Sequence, residues 1–142
     1  MHVEWYQTAD GVNWLPAWVS EHLGTAVRAV VVDERSPLVE LDWTAARVRP
    51  TVAGHRDVAV GAGLFLDAVS EATLRHRGQV ELTKAVLGAR QRPLGQAFAW
   101  DRKAANSSVL IAASLALWGV DCDRPARPRR AASSGRRGII LT

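Results

Sequence analysis

A chain of 142 residues with 48% apolar and 23% charged side chains fits one soluble globular domain with a real core, and leaves no room for a second. Its net charge of +4 is uneven: residues 124–142 hold six arginines and no acid, so +4 less those six leaves −2 on residues 1–123. The single cysteine, Cys122, excludes an internal disulfide and thiol metal sites. The lack of about 18 consecutive apolar residues, and of a signal-peptide pattern at Met1-His2-Val3-Glu4, points to an intracellular, cytoplasmic protein with no membrane partner.

Residues 2–6 alternate as a strand does, and a loop follows through Asp10-Gly11. Asn13 is placed to cap a helix from Trp14 to His22, which Gly24 closes. The run Ala29-Val30-Val31-Val32-Asp33 is β-branched and continuous, as in strands buried on both faces of a parallel sheet. Ser36-Pro37 has the cap-then-proline order that opens a helix, expected to reach Ala46. Val48–Val52 reads as another strand.

A helix over Val58–Ser70 follows, with Val58, Gly61, Ala62, Phe65, Leu66 and Val69 on its apolar side. His76 lies in a short connection before a helix over Val80–Leu87, which contains Leu82, Val86 and Leu87. Gly95–Trp100 reads as extended. Asn106–Gly119 has a cap-type residue, a long apolar run and a closing glycine. Alternating strands and helices imply an α/β layer architecture. Residues 123–142 are rich in Arg, Pro, Ser and Gly, and read as a disordered basic tail after a single domain over 1–122.

Asp33 is the informative acid. It ends a buried strand, where open α/β sheets place ligand and catalytic groups, although an aspartate there also serves as a turn or cap residue. The segment Val30-Val31-Val32-Asp33 with Ser36-Pro37-Leu38 is followed in order by three further pieces: Gly61–Val69, Leu74-Arg75-His76 and Ala89–Gly95. Then come Phe98-Ala99-Trp100-Asp101-Arg102 and the alanine-rich Ala112–Gly119. These segments, spread over roughly residues 2–121, resemble the C-terminal nuclease domain of phage terminase large subunits.

The resemblance implies a ribonuclease-H-like fold, a layered mixed sheet flanked by helices, here without its first strand. It implies an endonuclease that cuts concatemeric double-stranded DNA during packaging, with the terminase small subunit or the portal as partners. Two Mg or Mn ions about 3.5–4 Å apart would be held by roughly three carboxylates. Of these, Asp33 matches the central metal-binding acid, Asn106 stands in an acid position, and the first-strand acid has no counterpart, so the site reads as catalytically incomplete. Asp67 falls where the family tends to keep an acid; its plain reading is a solvated surface residue. His76 could contact phosphate or orient a carboxylate, or be a loop histidine in a basic stretch.

Arg75, Arg90, Arg92 and Arg102 could line a DNA groove, or be solvated arginines in an arginine-biased chain. The six tryptophans read mostly as core or interface, with Trp100 and Trp118 placed to pack against the sheet. There is no Gly-x-x-x-x-Gly-Lys-Ser/Thr for an ATPase motor and no Gly-x-Ser-x-Gly for nucleophilic hydrolysis. The alternative expectation is a non-catalytic module binding DNA or a packaging partner on the same scaffold.

Overall fold

The alternating start of the chain forms strand β1 (His2–Gln7), with Val3 fully buried. The computed structural model describes residues 1–23, 27, 29–122 and 137–141, the last five through their backbone. Helix α1 (Leu15–His22) has Pro16 in its first turn and buries Leu15, Pro16 and Val19. Its N-cap is Trp14, with no side-chain cap bond, so Asn13 does not play the expected role; Trp14 Nε1 instead donates to the Gly11 carbonyl at 3.1 Å. Gly24, expected to close this helix, lies outside the described residues.

Strand β2 (Val31–Asp33) pairs in parallel with β3 (Thr51–Ala53) in the register Val31–Thr51, Val32–Val52, Asp33–Ala53. The second strand starts three residues later than expected, because Pro50 has no N–H to give to a ladder. Between them the expected helix to Ala46 shrinks to a 3₁₀ turn, Pro37–Glu40, which Ser36 does cap by accepting from the Leu38 N–H. Asp42 stops it: its carboxylate accepts the Thr44 N–H at 2.9 Å, a local turn that competes with helix.

Helix α2 (His55–Ser70) begins three residues before the expected start and buries Val58, Ala59, Gly61, Ala62, Phe65 and Ala68. Val69, expected on that face, is exposed. Helix α3 (Val80–Leu87) has the expected bounds, but Leu82 and Ala85 are buried while Val86 and Leu87 are exposed. Leu82 and Ala85, three residues apart, share the buried face; Val86, four residues from Leu82, is nonetheless 38% exposed, and Leu87 is 82% exposed. Strands β4 (Gln91–Leu94) and β5 (Ala97–Trp100) form an antiparallel hairpin across Gly95-Gln96, and only the second was expected.

Helix α4 (Ser107–Cys122) packs against α2, α3, β1, β2 and β5. Its buried residues, from Val109 to Gly119, run round the helix, as an element covered on all sides requires. Gly119 therefore does not close the helix. It is where α4 crosses β2, since a Cβ there would stand 2.6 Å from Val31 Cγ2. Gly61 plays the same part between helices: its added Cβ would lie 2.9 Å from the Ser114 carbonyl oxygen.

Strand β6 (Arg137–Leu141) pairs in parallel with β1 and lies against α4. The tail expected to be disordered is thus a strand over these five residues, while 123–136 lie outside the described ones. An average over an arginine- and proline-rich segment hides the short run Gly138-Ile139-Ile140-Leu141. The fold is mixed α/β, and among the described residues its strands form three two-stranded ladders where one layered sheet is expected.

Candidate functional site

β2 delivers Asp33 to a shallow cleft at its C-terminal end. Glu34, Arg35, His55, Arg92, Arg102 and Trp100 line that cleft together with Asp33. The parallel ladder fixes the carboxylate's place, with the Glu34 N–H donating to the Ala53 carbonyl at 2.9 Å and the Ser36 N–H to the Asp33 carbonyl at 2.8 Å. Asp33 is 6% exposed. A carboxylate so far from water needs compensation, and both of its oxygens have it. Oδ1 accepts the Arg35 N–H at 2.9 Å, and Oδ2 accepts from, and ion-pairs with, the Arg102 guanidinium.

The two neighbouring acids are committed to the start of α2. Glu34 Oε1 accepts the His55 N–H at 3.0 Å, and Asp57 Oδ2 accepts the Gly54 N–H at 2.9 Å. Carboxylates there satisfy N–H groups that a helix start leaves without partners, and they meet the positive end of its dipole. The cavity itself holds about 10 Å³, the space of roughly one water.

Of the residues singled out in the sequence, the structure brings Asp33, Arg92 and Arg102 to this cleft and leaves the others elsewhere. Asn106 is exposed, has the left-handed backbone φ of 56°, and does not line it. Asp67 is exposed and sits twelve residues beyond His55 on α2, about 18 Å along the helix axis. His76 Nδ1 accepts the Gly78 N–H at 3.0 Å in an exposed turn. Arg75 bridges to β1 through its backbone, and Arg90 accepts the Asp101 N–H at 2.7 Å through its carbonyl; both side chains are exposed and outside the cleft. Arg35 and His55 were not marked in the sequence. Adjacency to Asp33 could have flagged the arginine, whereas nothing local signals that α2 begins beside β2.

The donors present do not fit a pair of divalent ions. Such ions take several oxygen ligands and anionic charge, and among the described residues no three His, Cys, Asp or Glu side chains gather to hold one. Of the two acids that line the cleft, Asp33 is neutralised by Arg102 and Glu34 is bonded to the start of α2.

A second charged cluster lies on β1. Glu4, 3% exposed, accepts from the Tyr6 hydroxyl at 3.0 Å, meets Arg77 Nε at 2.9 Å and lies 2.8 Å from His2 Nε2. Burial pushes its carboxyl up, but the hydrogen bonds from His2 and Tyr6 and the charge of Arg77 outweigh that and hold it below the usual glutamate value. Burial, with Asp121 and Asp57 nearby, pushes the Cys122 thiol up, away from the thiolate a nucleophile needs.

No family model, curated protein or solved structure matches this chain. No helix among the described residues is long and apolar enough to cross a membrane.

Proposed function

We propose that the chain is a partial nuclease domain of a phage terminase large subunit, acting in the host cytoplasm, with a ribonuclease-H-like scaffold and an incomplete cleavage site. What supports this reading is Asp33: a buried acid at the C-terminal end of a parallel strand, opening on a cleft, as ligand-bearing α/β sheets arrange their working groups. In the complete site Asp33 would be one ligand of Mg or Mn. The purified chain with Mn²⁺ should leave supercoiled plasmid intact, and Asn106→Asp should not change that. Cutting that Asp33→Ala abolishes would sink the claim of incompleteness. DNA upstream of Met1 tests the ancestry, which predicts an in-frame segment encoding a strand with a further aspartate and an ATPase domain.

A second reading, a non-catalytic module that holds DNA or a packaging partner such as the portal or small subunit, is favoured by the arginines at the cleft. Arg35 and Arg92 come from separate segments and line one surface beside the Asp33–Arg102 pair, as phosphate neutralisation needs. Duplex DNA should shift in a gel at low salt and be released at high salt. Arg35→Gln with Arg92→Gln should weaken the shift, and equal binding by that variant would count against the cleft as the contact.

A further inference from the structure

We propose that the Arg102 guanidinium takes the place of a cation at Asp33, so that this acid is neutralised from within the chain and the cleft is closed to divalent ions. The inference deepens the proposed reading and rests on it for the ion's place. It draws on three observations of the contact itself.

The first is the charge and the donors already on the carboxylate: one Asp33 oxygen accepts the Arg35 N–H and the other accepts from, and ion-pairs with, Arg102, so an incoming cation must compete with both. The second is that Arg102 is held in position by its backbone. Ser107 Oγ donates to the Arg102 carbonyl at 2.9 Å, the Lys103 N–H donates to Asp101 Oδ1 at 3.0 Å, and the Asp101 N–H donates to the Arg90 carbonyl at 2.7 Å. The loop between β5 and α4 is thus tied on both sides of the arginine, and the guanidinium reaches Asp33 across 69 residues of sequence. A permanently charged fork fixed in this way is a stable counter-ion.

The third is the lack of a competing site: Glu34 and Asp57 are each bonded through one oxygen to the first turn of α2, and among the described residues no three His, Cys, Asp or Glu side chains gather to hold an ion. A divalent ion would have to displace Arg102 to reach Asp33. The arrangement keeps the buried acid folded without metal and makes the chain indifferent to it.

Thermal unfolding of the full chain, in EDTA and in about 10 mM Mn²⁺ or Mg²⁺, tests this. The wild type should melt at the same temperature in all three. Arg102→Gln should lose roughly 5 °C or more in EDTA, since it leaves a buried carboxylate without its cation, and should regain much of that in Mn²⁺. Arg102→Lys should stay metal-indifferent, and Asp33→Asn with Arg102→Gln should show no recovery. Wild-type stabilisation by Mn²⁺ that Asp33→Asn removes would overturn the proposal. So would an Arg102→Gln chain, folded or not in EDTA, that Mn²⁺ fails to recover. Because this measurement involves no DNA cleavage, its failure is distinct from a failure of the nuclease reading.

Discussion

The described residues form two apolar clusters built by different means, and β2 is common to both. The larger gathers α2, α3, α4, β1 and β5 around Phe65, Leu110, Leu117 and Trp100, with alanines and Gly61 letting two sixteen-residue helices close on each other. The smaller sits under α1 and the 3₁₀ turn, and uses Leu15, Val19, Val32 and Trp43 to fill space that loops leave open. Val31 packs on the first cluster and Val32 on the second, so successive residues of one strand face opposite cores. Asp33 follows at the seam. A buried charge is tolerable there because the seam ends at the cleft, where Arg102 reaches it from the larger cluster's hairpin side.

The comparison predicts unequal responses to equal damage. Leu117→Ala, at a site 1% exposed, should cost about 2–5 kcal/mol and lower amide protection throughout the chain. Leu15→Ala should cost a similar side chain but open α1 and the 3₁₀ turn alone. Hydrogen exchange reads both, and global loss of protection in the Leu15 variant would show that the clusters are one unit. Gly61→Ala should cost about 2 kcal/mol in urea unfolding, because the new methyl meets backbone and not a side chain that can turn aside. An unchanged midpoint would mean that α2 and α4 have slack.

Glu4→Gln should have the smallest effect, about 1 kcal/mol near pH 7. The Glu4 carboxyl is held below its ordinary value of 4.5, so its contribution is present above that pH and is lost as pH falls through the lowered one. The difference between wild type and Glu4→Gln should therefore close as the pH is taken from about 5 toward about 2, and a gap that widens there would be the wrong sign.

Periodicity carried much of the fold. The bounds of α3 and the two-faced burial of β2 followed from apolar spacing alone, and so did Val58, Gly61, Ala62 and Phe65 on the buried face of α2, whereas Ala59 and Ala68 did not. What failed was decided by single polar residues or by distant chain. Asp42 broke a helix that its neighbours favoured, and β4, with Pro93 in it, looked nothing like a strand until β5 stood beside it. The site was legible as Asp33, Arg92 and Arg102 taken singly. Their meeting was not, because an ion pair between residues 33 and 102 leaves no local trace in either segment. His55 joins them only because β3 runs parallel to β2 and hands the chain straight into α2.

The pairing of β6 with β1 bears on how this protein should be handled. Trimming the chain after Cys122 would seem a harmless way to remove its arginine-rich end before crystallisation or a binding assay. It would also strip a neighbour from β1 and bare a row of unpaired N–H and C=O groups, the kind of edge along which chains join into aggregates. Charge at this end is better removed by replacing arginines with serine than by a stop codon, so that precipitation is not mistaken for a lost partner.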